Sequence, residues 1–151
     1  MNIHFLNSGE RKRLIADLQE RFGISKINYL LLEAGKGKMR AFSGDMSGGE
    51  ILQLSEIARV ELIGIYFARR DEMSGLRLSV DGAILLKDEI DKNVIEIDKA
   101  QVASWMRGED LQIEIEKGVY VVKHGRDVLG CGFSNGKKVY NYVPRERQVR
   151  G

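Results

Sequence analysis

The stretch GVYVVKHGRDVLGCGFSNGKKVYNYVP, residues 118–144, decides how the second half of this chain folds. It contains three short apolar runs that are rich in β-branched and aromatic residues, and turns containing glycine separate them. Closely spaced runs of this kind are typical of antiparallel strands in a small β-domain. The sequence therefore predicts three neighbouring strands at Val119–Val122, Val128–Gly132 and Val139–Val143.

Toward the N-terminus, the same pattern of short apolar runs begins near residue 76. Further strands are predicted at Leu76–Val80, Val94–Ile97 and Leu111–Ile115, with another apolar run at Ala83–Leu86. Asp98 and Gln101 have the spacing of a capping box, which predicts a short helix that Gly108 ends. Many short strands around one short helix indicate a β-barrel.

An α/β unit is predicted for the first half of the chain. Asn7 and Glu10 form a capping box before a helix over residues 8–22, and Gly23 supplies its end. Apolar periodicity adds a strand at 3–6, a hairpin of strands 28–32 and 39–43, a helix over 47–58 and a strand over 61–68. The polar segment Arg69–Gly75 is the predicted boundary between domains 1–74 and 75–151.

Composition narrows the class of protein. No apolar run approaches the roughly 20 residues that span a bilayer, and the N-terminus lacks a signal-peptide pattern, so we expect a cytoplasmic protein that does not contact membranes. Cys131 has no second cysteine to pair with, and His4 and His124 are the only histidines. We therefore expect no disulfide, metal site or cofactor.

The net charge of +2 conceals an asymmetry along the chain. Residues 75–116 hold 5 basic and 10 acidic side chains, whereas residues 117–151 hold 8 basic and 2 acidic ones. A basic block is expected where a protein meets phosphates, because each Lys or Arg contact releases condensed counterions. The alternative is a solvated surface that only keeps the protein soluble.

Four segments of the second half carry a family resemblance: Ser79–Leu85, Lys99–Arg107, Gly108–Leu111 and Val128–Phe133. With them the second half resembles the PUA domain, the small RNA-binding pseudobarrel of pseudouridine synthases, archaeosine transglycosylases and several ribosome-assembly factors. The resemblance implies an α+β fold in which an N-terminal α/β pre-PUA subdomain, similar to that of Nip-type assembly proteins, precedes a C-terminal PUA-like β-pseudobarrel.

The ending Leu129–Phe133 followed by Asn135–Arg147 is similar to the RNA-binding tail of Nop/Sun/Fmu-type RNA cytosine methyltransferases. That tail also occurs as small stand-alone proteins of ribosome biogenesis. A methyltransferase itself needs a nucleotide-cofactor fold and a reactive cysteine pair, whereas this chain has no Rossmann glycine fingerprint and only Cys131. The resemblance therefore implies an RNA-binding part without catalytic residues.

Candidate RNA-binding residues follow from residue type. Long clustered cations are costly to bury and should lie at the surface. Tyr140 and Tyr142 share a strand face, where they either stack on unpaired bases or fill the barrel core. The candidate residues are Lys123, Arg126, Lys137, Lys138, Tyr140, Asn141, Tyr142, Arg145 and Arg147.

The leading hypothesis is a non-catalytic RNA-binding protein of ribosome biogenesis or RNA modification, with rRNA or tRNA as the partner. Candidate protein partners are an RNA methyltransferase or a pre-ribosomal protein. One alternative is an RNA-modifying or hydrolytic enzyme whose site lies between the halves and uses groups such as Asp45, His124 or Asp127. Another is a protein-interaction adaptor for a ribosomal or methyltransferase partner, docked through its α/β half.

Overall fold

The structure is a computed structural model that describes residues 3–35, 37–42 and 64–149, and its fold class is α+β, as expected. A five-stranded antiparallel sheet has the order β1-β2-β3-β4-β5. Its strands are β1 Ile3–Phe5, β2 Leu30–Ala34, β3 Lys38–Phe42, β4 Ile65–Asp71 and β5 Gly75–Leu78. Helix α1, Ser8–Phe22, connects β1 to β2. The predicted helix over 47–58 lies outside the described residues.

A four-stranded sheet has the order β6-β7-β8-β9 and follows in the second half of the chain. Its strands are β6 Val94–Glu96, β7 Gly118–His124, β8 Asp127–Ser134 and β9 Val139–Asn141. Strands β6 and β7 are parallel, whereas β7, β8 and β9 are antiparallel. Helices α2, Val80–Leu85, and α3, Lys99–Met106, and 3₁₀ turns at Lys87–Glu89 and Arg145–Arg147 complete this half. Among the described helices, none has the length and apolar character that a bilayer crossing requires.

Strand β7 is buried on both faces and separates two hydrophobic cores. Val119 and Val121 join the core that α1 and the first sheet build, and Cys131 and Phe133 of β8 lie in that same core. Tyr120 and Val122, on the alternate face, pack with Trp105 in the second core. The first sheet and the C-terminal sheet therefore share one core instead of standing apart.

Both predicted capping boxes are confirmed. The Asn7 side chain accepts the backbone N–H of Glu10 at 2.9 Å, and the Glu10 carboxylate accepts that of Asn7 at 3.1 Å. Helix α1 then ends at Gly23 in the left-handed conformation, with φ of 82°. Asp98 and Gln101 make the same reciprocal bonds at the start of α3.

Glu10 provides a pH-dependent prediction. The backbone N–H of Asn7, and then His4, lower the pKa of this carboxyl below its ordinary value of 4.5. A lowered folded-state pKa stabilises the fold above the ordinary value, and this stabilisation is lost as the pH falls through the folded-state pKa. We expect Glu10→Gln to be less stable than the wild type at pH 7, with the difference shrinking below pH 4.5. Urea unfolding at several pH values measures this difference; a pH-independent difference would contradict the expectation.

The segment predicted as a strand ending at Val80 and a following apolar run is instead β5 and α2. The strand ends at Leu78, and Ser79 caps α2 by accepting the Gly82 N–H at 2.9 Å. The Ser79 hydroxyl also donates to the Tyr66 carbonyl at 2.7 Å, which fixes the helix start against β4. The prediction was wrong because a short apolar run does not distinguish a strand from a buried helix.

The predicted strand Leu111–Ile115 is also wrong. Leu111 makes one isolated bridge to Val139, and no ladder continues from it. Side-chain hydroxyls take the carbonyls that a neighbouring strand would need: Ser134 donates to Ile115 and Tyr120 to Glu116, each at 2.7 Å. Ile113 and Ile115 pack on the second core from this irregular segment.

Strand β4 extends beyond its predicted end at residue 68. Arg69, Arg70 and Asp71 pair with β5, so part of the predicted polar turn is strand. Asp71 closes the β4–β5 turn by accepting the N–H of Met73 at 2.9 Å and that of Ser74 at 3.4 Å. The boundary predicted at residues 74 and 75 falls at this turn, and it stays a prediction.

Candidate nucleic-acid interface

The β8–β9 turn projects a cation into solvent. Asn135 Oδ1 accepts the backbone N–H groups of Lys137 and Lys138 at 2.8 and 3.0 Å. Gly136 has a φ of 98°, a left-handed backbone conformation that favours glycine. No atom lies within 4 Å of the position that its Cβ would take. The Lys137 side chain is exposed and forms no ion pair with the described residues.

Lys138 and Tyr140 lie together beside this turn. The Lys138 ammonium is 3.2 Å from Asp110 Oδ2 and 4.6 Å from the centroid of the Tyr140 ring. Tyr140 is 37% exposed, which leaves part of its ring accessible to a base. Because Asp110 offsets the charge of Lys138, Lys137 is the stronger cation of the pair for attracting phosphate.

The side chain of Asn141 links β9 to the end of α3. Its amide donates to the carbonyls of Trp105 and Glu109 at 2.8 and 3.0 Å, and its oxygen accepts the Val143 N–H at 2.8 Å. These bonds join β9 to the C-terminal end of α3. An RNA contact through this amide would compete with them.

Tyr142 packs inside the protein more than Tyr140 does. The Arg77 guanidinium lies 4.4 Å from its ring centroid, and the ring is stacked with that of Phe133 at 6.5 Å. Of the two roles that the sequence left open for the tyrosines, Tyr142 therefore has packing contacts, and Tyr140 is the ring available for stacking.

The C-terminal segment returns to the domain and carries two arginines. Val149 donates its N–H to the Met106 carbonyl at 2.7 Å, which anchors the segment to the end of α3. Arg147 pairs with Asp81 at 3.0 Å, whereas Arg145 is exposed and has no ion pair among the described residues. Arg145 is therefore the free cation of this turn, within the part of the chain that the structure describes.

Lys123 and Arg126 lie at the opposite end of β8 from Lys137. They border a cavity of about 420 Å³ together with Lys87 and Asp88. Strand β8 spans Asp127–Ser134, so its ends are about 23 Å apart at a rise of about 3.3 Å per residue. The candidate cations thus form two groups at opposite ends of β8, and the basic C-terminal block does not form one continuous surface patch.

The comparison with protein families bears on this half of the chain. Residues 92–148, which run from two residues before β6 to one residue after the C-terminal 3₁₀ turn, match the family model described as the Methyltransferase RsmF PUA domain. The C-terminal half contains a PUA domain resembling that of an RNA methyltransferase. The predicted family resemblance is thereby confirmed for this segment, and the PUA domain includes the cations at both ends of β8.

Individual relatives agree with the family model. The ribosomal RNA small subunit methyltransferase F of Aeromonas salmonicida (strain A449) is 33% identical over 90 residues, which cover 58% of this chain and 19% of that protein. The enzyme of the same name from Vibrio cholerae serotype O1 (strain M66-2) is 30% identical over 90 residues, with the same coverage. The chain therefore spans about a fifth of the length of the curated relatives that it matches.

Two of the groups proposed for catalysis, His124 and Asp127, fall on described residues. His124 Nδ1 lies 2.7 Å from the Ile97 carbonyl, and His124 pairs with Asp127 across the β7–β8 turn of the PUA domain. Burial raises the pKa of the Cys131 thiol to about 12, which keeps it protonated. Asp45 lies outside the described residues. Within residues 3–35, 37–42 and 64–149, no cluster of His, Cys, Asp or Glu could hold a metal ion.

Sequence reasoning missed a set of basic residues in the first sheet. Lys38, Arg69 and Arg77 lie on three neighbouring strands and border a cavity next to the PUA domain. The sequence assigned Arg69 to a polar turn, which concealed the alternation that places it on a sheet face. In the sequence, the signal for this basic set is limited to the two adjacent arginines, Arg69 and Arg70. Their side chains point to opposite faces of β4.

Proposed function

We propose that this protein is a non-catalytic RNA-binding protein that acts on structured RNA, either rRNA or tRNA, in ribosome biogenesis or RNA modification. The observation that carries the proposal is the PUA domain at residues 92–148, whose relatives are named as ribosomal RNA methyltransferases. The similarity is confined to a segment that covers 19% of those relatives, so their methyl transfer is not part of the proposal. A separate methyltransferase or a pre-ribosomal protein is the proposed protein partner.

The surface of the PUA domain supports the proposal. Lys137 and Arg145 are exposed cations that form no ion pair with the described residues, and Tyr140 offers an exposed ring. Cations of this kind bind phosphates and position the protein, while an aromatic ring stacks on an unpaired base. Recognition would then depend on RNA shape and on single-stranded elements more than on base sequence.

The proposed role of residues 1–74 is that of a pre-PUA domain that supports the RNA-binding half. Residues of α1 such as Leu14, Leu18 and Phe22 pack in the same core as Val119 and Val121 of β7. This shared core fixes the first sheet against the PUA domain, so that both halves are presented to RNA in one orientation.

The double variant Lys137→Ala/Arg145→Ala tests the proposal. Each phosphate contact to single-stranded RNA contributes about 0.7 to the slope of log K against log salt, so two lost contacts should lower that slope by about 1.4 and weaken binding more than tenfold near 0.1 M salt. Fluorescence anisotropy with a fluorescein-labelled RNA hairpin that carries a single-stranded tail measures both quantities.

The matched control is Lys12→Ala/Arg13→Ala, which removes the same charge from exposed positions on α1. Lys138→Ala/Arg147→Ala should have a smaller effect than the test variant, because Asp110 and Asp81 already offset those cations. Equal affinities and salt slopes for the test variant, the control and the wild type would refute this binding surface. Absence of RNA binding by the wild type at low salt would refute the function itself.

A further inference from the structure

Three cations stand side by side across three strands of the first sheet. Lys38 of β3 is the direct cross-strand partner of Arg69 of β4, and Arg69 is in turn the partner of Arg77 of β5. Partners in register project to the same face of a sheet, and like charges placed directly opposite each other are destabilising. The sheet therefore keeps a row of repelling charges, which we call the cation row, on one face.

The cation row borders a cavity of about 270 Å³ between the first sheet and the PUA domain. Tyr66 of β4 and Ser79, which precedes α2, also line it, and Cys131, Tyr142 and Pro144 line it from the PUA domain. None of the residues that line the cavity is acidic. Outside the lining, Arg77 Nε lies 3.8 Å from Asp71 Oδ2. Among the described residues, the three cations of the row thus face one nearby carboxylate, that of Asp71, and keep an excess of positive charge.

Aromatic rings hold two of these cations in place. The Lys38 ammonium lies 5.4 Å from the centroid of the Tyr66 ring, and the Arg77 guanidinium lies 4.4 Å from that of Tyr142. A ring face attracts a cation without removing its charge or using all its N–H donors. Arg77 Nε is buried and has no hydrogen-bond partner among the described residues. At least one donor of the cation row is therefore unsatisfied.

Arg70, the next residue along β4, shows how a cation of this sheet is satisfied elsewhere. Its guanidinium pairs with Asp17 of α1 at 2.9 Å, on the opposite face of the strand from Arg69. Lys38 and Arg69 form no ion pair with the described residues. Among the described residues, Arg70 thus has a close ion pair at 2.9 Å, whereas the cation row has only the longer contact of Arg77 with Asp71 at 3.8 Å.

We propose that the cavity bordered by Lys38, Arg69 and Arg77 binds a backbone phosphate of the RNA that the PUA domain holds. Phosphate oxygens match the N–H forks of arginine and offset several cations at once. Pro144 at the cavity rim directly precedes Arg145 of the proposed RNA-binding surface. The cavity and the proposed RNA-binding surface therefore meet at adjacent residues of the chain, so one RNA strand would contact both. This site rests on the proposed function and extends it to the first half of the chain.

The test variant is Lys38→Ala/Arg69→Ala, which leaves Arg77 and its contact with Tyr142 intact. The matched control is Lys12→Ala/Arg70→Ala, which removes the same charge types from α1 and from the other face of β4. With the RNA hairpin described above, we expect the test variant to bind about tenfold more weakly near 0.1 M salt and the control to bind like the wild type.

Stability provides a second readout that a purely structural role would not match. Because the test variant removes cross-strand repulsion, it should unfold in urea at the same or a higher concentration than the wild type, while binding RNA more weakly. Weaker binding together with a clear loss of stability would overturn the proposal, since the cations would then be serving the fold.

Two further outcomes separate the sources of phosphate and the two proposals. If the wild type binds RNA and Lys137→Ala/Arg145→Ala weakens that binding, but Lys38→Ala/Arg69→Ala behaves like its control, the cavity proposal fails and the proposed function stands. Titration with inorganic phosphate, followed by the amide signals of β4, forms the other arm. Signals that shift with phosphate, together with RNA binding that does not depend on Lys38 and Arg69, would assign the cavity to free phosphate and overturn the RNA assignment.

Discussion

Trp105→Ala is expected to lower the free energy of unfolding by about 3–5 kcal/mol, the range for removing a large buried aromatic side chain. Trp105 is 0% exposed and lies in the second core with Tyr120 and Val122. Its indole N–H donates to the Leu129 carbonyl at 2.9 Å, so the substitution creates a cavity and also leaves a partly buried carbonyl without this partner. Urea unfolding followed by circular dichroism measures the loss.

Two companion variants divide this effect into its causes. Trp105→Phe keeps most of the buried volume and loses the hydrogen bond, so its loss should be intermediate. Tyr140→Ala, at an exposed aromatic position of the neighbouring strand β9, should change the free energy of unfolding by less than about 1 kcal/mol. Circular dichroism is needed because Trp105 is the only tryptophan and its fluorescence disappears in the variants. A loss for Trp105→Ala as small as that for Tyr140→Ala would contradict the packing described for the second core.

Gly82→Ala is expected to lower the free energy of unfolding by about 3 kcal/mol, the upper part of the usual range for overpacking. A Cβ on Gly82 would lie 2.0 Å from the carbonyl oxygen of Phe67, which belongs to the backbone of β4 and cannot turn aside. Helix propensity alone would favour alanine at this position by about 1 kcal/mol. The sign of the measured change therefore shows whether α2 lies against β4 as closely as the structure has it.

Gly9→Ala is the matched control, because Gly9 is also in the first turn of a helix and has no positive φ. The nearest atoms to its Cβ would be Asn7 Oδ1 at 3.4 Å and Arg13 Nη1 at 3.9 Å, which are ordinary contacts. Alanine there should raise the free energy of unfolding by about 0.5–1 kcal/mol. If both substitutions stabilise the protein, the close approach of α2 to β4 is wrong.

Elements with local signals could be predicted from the sequence. The reciprocal bonds of Asn7 with Glu10 and of Asp98 with Gln101 span three residues, so their spacing alone indicates the helix starts. The strands β7, β8 and β9 follow from apolar runs between turns. The segment 80–86 and the segment 111–115 were missed because their conformation depends on distant partners: Phe67 and Tyr66 for the first, and Ser134 and Tyr120 for the second.

The candidate site likewise has features that the sequence predicts and features that it does not. Exposure of Lys137 and Arg145 follows from residue type, whereas the partners of Lys138, Arg147 and Asn141 do not, since Asp110, Asp81 and Trp105 are far away along the chain. The cation row depends on the register of two strand pairs at once. One-residue slips would send Lys38 or Arg77 to the other face, and sequence alone does not determine register.

The position of β7 between the two cores has a consequence for dissecting the protein. A fragment trimmed to residues 92–148 would keep Trp105 and its neighbours but would strip the cover from Val119, Val121 and Phe133, which α1 and the first sheet provide. Such a fragment would expose an apolar surface to water and would aggregate. The matched segment 92–148 is thus narrower than the hydrophobic core to which its strands contribute, and truncations made to test the proposed RNA binding should retain the N-terminal sheet.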